Sequence, residues 1–290
     1  MRVLVTGASG FIGRRVCARL ASRYTVFAVR RAHDVPGGCV SLTADLATPF
    51  STRDWPDLVD AVIHLAQSAR HREFPEGAAD MTAVNVTATA SLADYARRAG
   101  ATTFLLASTG NVYRPGPEPA AEHDPIAPTT FYAASKAAAE GLLRPYAALM
   151  RVCALRLFYP YGPAQEGRLI PSLIERVRDG RPITLAGTGD GLRLTPTYVD
   201  DIADVIVAAL SDGRFVGILN VSAPYVVSLR QLGETVARVV GREALFERAG
   251  GPEPPTVLPC LDRLGELYPL TRFAGLESGL SRTIAEQSVL

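Results

Sequence analysis

The feature that most constrains this chain is a glycine-rich loop near residue 7. The segment Thr6 to Gly13 (TGASGFIG) follows a short apolar run, Arg2 to Thr6, and opens a stretch with helical spacing, Phe11 to Arg23. Glycine permits a tight turn, lets backbone N–H groups approach an anion, and lets the helix pack closely on the strand. The helix N-terminus adds a partial positive charge. The loop therefore predicts a site for the pyrophosphate of a dinucleotide, whereas a glycine turn without a ligand is the less favoured alternative. The predicted contacts are Gly7, Ser9, Gly10, Phe11, Ile12 and Gly13.

Strand-like and helix-like stretches alternate through the first half of the chain. Apolar strands separated by helices predict a parallel sheet covered on both faces. The fold class is therefore α/β, a Rossmann-type doubly wound parallel sheet, and its ligands bind beyond the carboxyl ends of the strands. Further strands are predicted at Tyr24 to Val29, Cys39 to Thr43, Ala61 to Leu65, Thr103 to Ala107 and Val152 to Leu157, and helices at Ala78 to Ala99 and Tyr132 to Met150.

This alternation ends after Leu157, where proline and glycine become frequent. We predict a dinucleotide-binding Rossmann domain over residues 1–160 and a smaller, mostly C-terminal substrate-binding lobe over residues 161–290. A helix at Val199 to Leu210 is expected to pack back onto the main sheet, as part of a returning segment near residues 196–215.

Composition argues against several classes of protein. The 30 basic and 29 acidic side chains nearly cancel, leaving a net charge of +1, so binding of nucleic acid through counterion release is not expected. No apolar run reaches the roughly 20 residues that span a bilayer, and the first residues lack the pattern of a signal peptide. Four scattered cysteines have no metal-ligand spacing and suit a reducing compartment. We expect a cytoplasmic protein with no metal site and no nucleic-acid or membrane partner.

The end of the second strand bears on which dinucleotide binds. A carboxylate there accepts hydrogen bonds from the adenosine ribose of NAD, whereas arginine accommodates the 2′-phosphate of NADP. This chain has Arg30 and Arg31, with no acid before Asp34. A guanidinium pair matches a phosphate through forked hydrogen bonds, so NADP(H) is favoured, with NAD(H) and a merely solvated basic strand end as alternatives.

Asp45, after the third strand, either accepts from the adenine amino group or caps the following turn. A second basic tract, Arg70 to Arg72, either lines the phosphate side of the site or is a solvated loop.

Tyr132 and Lys136 are the candidates for proton handling. They lie four residues apart on a predicted helix and therefore share one face. A tyrosine ionises at a pH of about 10, and a neighbouring ammonium together with a positive nicotinamide ring lowers its pKa toward neutrality. Ser108 and Thr109, at the end of the fifth strand, offer a hydroxyl to orient a carbonyl, or they only terminate the strand. The pattern predicts hydride transfer, with an exposed helix pair as the alternative.

Together these motifs resemble those of the extended short-chain dehydrogenase/reductases, in the NAD-dependent epimerase/dehydratase family. The resemblance covers nearly the whole chain. It runs through Thr6 to Gly13, Asp45-Leu46, His64-Leu65-Ala66, Asn85, Ser108 to Tyr113, Tyr132 to Lys136, Leu155-Arg156, Tyr161-Gly162-Pro163 and Tyr198 to Asp201.

That resemblance implies further roles for residues of this chain. By the family's register Thr109, rather than Ser108, is the catalytic hydroxyl beside Tyr132 and Lys136. It also implies a homodimer formed through the helices Ala78 to Ala99 and Tyr132 to Met150. The residues that it adds to the cofactor site are Asp45, Leu46, Leu65, Ala66 and Asn85.

Three departures from the family narrow the reaction. Gly110-Asn111 stands where dehydratases carry an Asp-Glu pair, which argues against dehydration. Tyr159 stands where nucleotide-sugar enzymes have a substrate-binding asparagine. Leu194 occupies the place of a diphosphate-binding arginine, and Arg193 lies one position early. Asn111, Tyr159 and Arg193 are nevertheless our candidates for substrate contacts, with a solvated loop arginine as the alternative for Arg193.

The sequence thus favours an NADPH-dependent ketoreductase acting on a nucleotide sugar or a similar small keto substrate. The first alternative is a nucleotide-sugar epimerase, which oxidises and re-reduces its substrate on a retained NAD(P). The second is a non-catalytic NADP(H) sensor on the same fold. Because a sensor can dispense with the proton-handling pair and this chain keeps Tyr132 and Lys136, the sensor ranks lowest.

Overall fold

The computed structural model describes residues 1–287 and is built on strands that follow the predicted alternation. The strands are β1 (Arg2–Thr6), β2 (Thr25–Arg30), β3 (Val40–Thr43), β4 (Ala61–His64), β5 (Thr103–Thr109), β6 (Arg151–Leu157), β7 (Pro160–Tyr161), β8 (Ile183–Ala186), β9 (Arg193–Leu194), β10 (Thr197–Tyr198), β11 (Gly217–Val221), β12 (Val227–Ser228) and β13 (Phe246–Gly250). Seven of them form one parallel sheet in the order β11-β6-β5-β4-β1-β2-β3. The predicted Rossmann-type fold is confirmed.

Helices connect and cover these strands. They are α1 (Phe11–Leu20), α2 (Ala78–Thr82), α3 (Ala88–Arg98), α4 (Phe131–Leu143), α5 (Leu169–Arg178), α6 (Val199–Ser211), α7 (Leu229–Val240), α8 (Asp262–Leu267) and α9 (Leu276–Gln287). The long helix predicted from Ala78 is continuous but contains a π-helical turn at Ala83–Thr87, between α2 and α3. The helix predicted from Tyr132 ends earlier than expected, because a 3₁₀ turn follows α4 at Arg144–Ala148. Among the residues described here, no helix has the length and apolarity that a membrane span requires.

The sheet is covered on both faces, which explains why its central strands are apolar throughout. Every residue of β4 and β5 is buried. One hydrophobic cluster joins the sheet to Val16 of α1 and Ile202 of α6, and a second joins it to Leu92 of α3 and Ala139 of α4. Such double burial is typical of parallel sheets.

The chain returns to the sheet after the smaller lobe has begun. The helix predicted at Val199 to Leu210 is present as α6 and packs against α1. The strand that follows it, β11, pairs with β6 in parallel, Leu219 beside Leu155. We did not predict this seventh strand. Strand β11 lies beyond the returning segment that was expected near residues 196–215. The main sheet therefore includes residues up to Val221.

A crevice opens where the strand order reverses. From β1 the chain proceeds outward to β2 and β3 and then continues on the other side of β1 at β4. Connections on the two sides of such a reversal diverge, and ligands bind in the space between them. A separate hydrophobic cluster, centred on residues such as Ile174 of α5 and Leu232 of α7, forms the smaller lobe facing this crevice.

Candidate active site

A cavity of about 990 Å³ lies at the carboxyl ends of the strands, between the sheet and the smaller lobe. It brings together most of the residues that were predicted from the sequence to bind cofactor or substrate or to act in catalysis. Those lining it are Gly7, Ser9, Gly10, Phe11, Ile12, Gly13, Arg30, Arg31, Asp45, Leu46, Leu65, Ala66, Thr109, Asn111, Tyr132 and Tyr159. Lys136, Asn85 and Arg193 do not line it.

The glycine loop forms a cradle in which Gly7 and Gly13 leave no room for a side chain. Gly7 has a φ of +67°, and a Cβ added there would lie 2.7 Å from the backbone nitrogen of Ala66. A Cβ on Gly13 would lie 2.0 Å from the carbonyl oxygen of Gly7. Helix α1 begins after Gly10 without a side-chain cap, so its first N–H groups are open to a ligand. A cradle of backbone at a helix N-terminus fits the pyrophosphate of a dinucleotide.

Two arginines line the same cavity at the end of β2. Arg30 is half-buried; its Nε donates to Oγ of Ser41 at 2.7 Å, and one terminal nitrogen donates to the carbonyl of Ala32 at 3.1 Å. Arg31 is exposed and lines the cavity beside His33. Two hydrogen bonds thus hold the Arg30 guanidinium at the end of β2, where it faces the cavity.

Asp45 caps the turn that follows β3. Its Oδ1 accepts a hydrogen bond from the backbone nitrogen of Ala47 at 3.0 Å. Of the two interpretations left open for this residue, the structure supplies the capping contact, while the side chain also borders the cavity. The two are compatible, because a carboxylate has several acceptor positions.

The Tyr132 phenol and the Thr109 hydroxyl meet inside the cavity. Tyr132 lies in the first turn of α4, which is capped by Thr130, whose Oγ1 accepts from the Ala133 nitrogen at 3.1 Å. The Tyr132 hydroxyl donates to Oε1 of Gln67 at 3.1 Å. Burial raises the Tyr132 pKa above its usual value, while the Thr109 hydroxyl acts in the opposite direction.

The neighbouring hydroxyl, on Ser108, points elsewhere. Its Oγ donates to a carboxylate oxygen of Glu140. Successive residues of a strand face opposite sides of the sheet, so only one of two adjacent hydroxyls at the end of β5 can face Tyr132. In the structure that residue is Thr109, the one that the family register selects.

Lys136 lies behind the cavity wall and not in it. The side chain is 2% exposed, and Nζ donates to the carbonyl oxygen of Ala107 at 3.0 Å. Burial lowers the Lys136 pKa to about 8, against the opposing charge of Glu140. The charge of Lys136 was expected to lower the Tyr132 pKa. In the structure, the positive charge that lowers the Tyr132 pKa is that of Arg168.

Asn85 also lies one layer below the cavity. It belongs to the π-helical turn, and its Nδ2 donates to Oγ of Ser135 at 2.9 Å. Its Oδ1 accepts from the backbone nitrogen of Ser68 at 3.1 Å. Asn85 therefore ties the loop after β4 to α4, between Tyr132 and Lys136, rather than bordering the cavity as expected.

Arg193 is turned away from the cavity. It is exposed and borders a separate depression beside Ser228, its partner across the β9–β12 pair. Leu194, the next residue, is fully buried and lines the main cavity. The alternation of a strand explains this outcome. The sequence-based assignment of Arg193 to the substrate site is therefore not supported by its placement.

Three further basic side chains line the cavity, His71, Arg72 and Arg168. The first two belong to the tract that the sequence left open as a cavity lining or a solvated loop, whereas Arg168 was missed. Burial and the charge of Arg72 lower the pKa of Arg168. The His71 ring lies 5.4 Å from the Tyr132 ring, and its Nδ1 donates to the Ser68 carbonyl at 3.1 Å. No local pattern in the sequence connects Arg168 with Tyr132.

A buried ion pair supports the site from below. Arg156 donates to Glu140 through two nitrogens, at 2.7 Å and 3.1 Å, and the two side chains are 5% and 6% exposed. The guanidinium also lies 4.5 Å from the ring centre of Tyr113. Because Glu140 holds Ser108 as well, the pair joins α4, β5 and β6 directly behind Thr109.

Comparison with known proteins agrees with this geometry. A model of the NAD dependent epimerase/dehydratase family matches residues 3–222. This chain belongs to that family. Family and fold class were both predicted from the sequence, and both predictions are confirmed. Members resembling this chain include enzymes named as epimerases, decarboxylases and reductases.

Three relatives illustrate the range within the family. The GDP-6-deoxy-D-mannose reductase of Pseudomonas aeruginosa is 31% identical over 251 residues, 82% of this chain and 80% of that protein. The UDP-glucose 4-epimerase of Thermus thermophilus, solved with NAD, is 27% identical with a TM-score of 0.83, covering 99% of this chain and 98% of that one. MoeE5, solved with UDP-glucuronic acid and NAD, is 27% identical with a TM-score of 0.87, covering 100% of this chain and 99% of that one.

Proposed function

We propose that this protein is an NADPH-dependent ketoreductase that acts on a nucleotide sugar or a similar small keto substrate. The observation that carries the proposal is the meeting of Tyr132 and Thr109 in the cavity that the glycine loop also borders. A proton donor and a carbonyl-orienting hydroxyl beside a dinucleotide cradle suit the reduction of a carbonyl group.

Each side chain has a separate task in this reaction. A bound nicotinamide dinucleotide supplies the hydride. Thr109 donates a hydrogen bond that orients the carbonyl oxygen, and Tyr132 delivers the proton to that oxygen. Before a substrate binds, the Tyr132 hydroxyl donates to Oε1 of Gln67 at 3.1 Å, and this hydrogen bond is exchanged for one to the carbonyl oxygen when the substrate is in place. Arg168 favours the phenolate that remains after proton transfer, since its charge lowers the Tyr132 pKa.

The choice of NADPH rests on Arg30 and Arg31. Both line the cavity at the end of β2, with no carboxylate before Asp34. The related structures named above hold NAD, so NAD(H) is the competing cofactor. Arg30→Asp is expected to weaken NADPH binding about 10- to 100-fold and NADH binding little, because it removes charge-assisted hydrogen bonds to the 2′-phosphate. Equal weakening of both cofactors, measured by fluorescence titration, would contradict the NADPH assignment.

An epimerase with a retained NAD(P) is the second candidate. It is favoured by the likeness to the Thermus thermophilus UDP-glucose 4-epimerase over nearly the full length of both chains. The same Tyr132 and Thr109 would then remove and return one proton in each cycle, and no net reduction would occur.

One assay separates the two candidates. Nucleoside-diphosphate keto sugars are supplied with NADPH, and NADPH absorbance is followed together with the product. We expect one NADPH to be consumed for each substrate converted. Conversion of a sugar nucleotide to its epimer without NADPH consumption would favour the epimerase and overturn the reductase. Mass spectrometry of ligands released from the purified protein would identify a retained cofactor.

Assembly as a homodimer through α2, α3 and α4 stays a prediction, as does a cytoplasmic location. Light scattering coupled to gel filtration tests the first. A monomer at micromolar concentration would contradict it.

A further inference from the structure

The last three residues of β5 extend beyond one of its neighbouring strands. Strand β4 pairs with β5 only as far as Leu106, whereas β6 pairs with it as far as Thr109. Within residues 1–287, the end of β5 therefore has a strand partner on one side only. An edge of this kind lacks half of the backbone hydrogen bonds of a central strand, so the position of the Thr109 hydroxyl depends on contacts from another element.

Helix α4 makes those contacts with side chains spaced four residues apart. Tyr132, Lys136 and Glu140 follow one another along one face of the helix. The first lines the cavity, and the other two hold β5. Lys136 Nζ donates to the carbonyl oxygen of Ala107 at 3.0 Å. Glu140 accepts a hydrogen bond from the Ser108 hydroxyl. The helix that carries the phenol is thus bound to two successive residues at the end of β5.

The Glu140 carboxylate is itself fixed from a second side. Arg156 donates to its two oxygens at 2.7 Å and 3.1 Å, and both side chains are buried. Arg156 also stands beside Ser108 in the register of β5 and β6. Charge-assisted hydrogen bonds from a planar guanidinium restrict the orientation of a carboxylate. Glu140 is therefore a rigid link between the helix and the strand end.

The Thr109 hydroxyl comes directly after the residues that are held. Its Oγ1 accepts from the backbone nitrogen of Asn111 at 3.2 Å, which leaves the hydroxyl hydrogen for donation. Burial raises the Tyr132 pKa and the Thr109 hydroxyl acts against it, so the two groups are close enough to interact. Hydrogen bonds weaken steeply as their geometry departs from the optimum. A small rotation of the strand end would therefore separate the two hydroxyls.

We propose that Glu140 is a positioning residue for the reaction: through its hydrogen bond with Ser108, the carboxylate orients the Thr109 hydroxyl. The oriented hydroxyl then meets the Tyr132 phenol at the place where the carbonyl oxygen binds. Glu140 does not line the cavity, so it acts only through the strand end. The inference rests on the proposed function, because it concerns the pair of hydroxyls that performs the proton transfer.

The kinetic test removes the link and leaves the ion pair in place. With NADPH and a reducible nucleoside-diphosphate keto sugar, Ser108→Ala should lower kcat about 10- to 100-fold, since a displacement of about 1 Å has an effect of this size. KM should change by less than about 2-fold. Glu140→Asp keeps the charge beside Arg156 but withdraws the carboxylate from Ser108, so it should lower kcat by a similar factor. All variants are measured below their thermal midpoints.

A double-mutant cycle separates positioning from general destabilisation. In a Thr109→Ala background, Ser108→Ala should lower kcat no further, because the hydroxyl through which it acts is gone. Ser222→Ala is the matched control: Ser222 is also a buried serine, it donates to the Ala223 carbonyl at 3.2 Å, and it lies outside the cavity. This control should lower the thermal midpoint and leave kcat unchanged. Additive losses of kcat in the double variant would overturn the inference.

A measurement without substrate keeps this inference separable from the proposed function. In protein labelled at the tyrosine Cζ carbons, the NMR resonance of Tyr132 is assigned by its loss in Tyr132→Phe. Ser108→Ala and Thr109→Ala should shift that resonance in the same direction, whereas Ser222→Ala should not shift it. A resonance that stays in place in Ser108→Ala would overturn the positioning role. If no keto sugar is reduced by the wild-type protein, the proposed function fails, and the NMR comparison still decides the role of Glu140.

Discussion

In the part of the cavity proposed for the dinucleotide, the nucleotide half, one short segment, residues 6–13, makes the cradle, whereas the part proposed for the substrate, the substrate half, is assembled from distant parts of the chain. In that cradle backbone atoms make the surface, and glycine is required at Gly7 and Gly13 because a Cβ would collide with neighbouring backbone. In the second half side chains make the surface, and Gln67, Thr109, Tyr132 and Arg168 come from four separate segments. A binding surface made of backbone can therefore be recognised from a short stretch of sequence. One made of side chains draws on residues far apart in the chain and shows no such local pattern.

The largest test of the substrate half is Tyr132→Phe. Removing the phenol hydroxyl should lower kcat about 10²- to 10⁴-fold, the usual contribution of a positioned acid or base. Binding of NADPH should change little, since the nucleotide half is untouched. Stopped-flow measurement with a reducible keto sugar tests this. Tyr146→Phe, outside the cavity, is the matched control. A variant that keeps its kcat would remove Tyr132 from the mechanism.

The ion pair beneath the substrate half should matter for stability. Glu140→Gln leaves the buried Arg156 guanidinium without its counter-charge, so the free energy of unfolding should fall by about 3–5 kcal/mol. Asp94→Asn is the control, because Asp94 pairs with exposed arginines and such pairs contribute at most about 1 kcal/mol. Urea denaturation measures both. Similar losses in the two variants would mean that the buried pair has no special role.

Lys136 should make stability depend on pH. Its pKa falls from 10.5 to about 8 on folding, so the folded state disfavours the ammonium. The resulting penalty is fully present below pH 8 and is lost as the pH rises toward 10.5, because the unfolded chain binds more protons in that window. Relative to Lys136→Met, the wild-type protein should gain on the order of 3 kcal/mol across it. A flat difference between the two urea-derived stability curves would contradict this account.

The smallest effect is expected at Arg193. Because its side chain lies outside the cavity, Arg193→Ala should change KM by less than about 2-fold. Leu194→Ala, which opens the cavity wall itself, should have the larger effect on KM. If the order were reversed in steady-state kinetics, the substrate would reach the β9–β12 face, and the substrate half would be larger than the cavity described here.

Much of the architecture was accessible before the structure. Apolar strands in β1, β4 and β5 and the helix after Gly10 were predictable because burial on both faces of a parallel sheet leaves continuous apolar runs. The strand β11 was missed because it lies between two parts of the smaller lobe, and a short apolar run such as Gly217–Val221 does not reveal its partner. Arg193 was predicted to contact the substrate, whereas in the structure its side chain lies outside the cavity, because a shift of one residue in a strand moves a side chain to the opposite face.

The sequence by itself determined the glycine cradle, the apolar strands and the placement of Tyr132 and Lys136 on one helix, since all of these depend on neighbours within a turn or a strand. Tertiary structure decided which hydroxyl faces Tyr132, that Lys136 lies behind the wall, and that Arg168 and Tyr159 reach the same cavity. These outcomes depend on how distant segments pack. Side-chain direction and electrostatic environment at a site are set by that packing, and a linear pattern does not encode them locally.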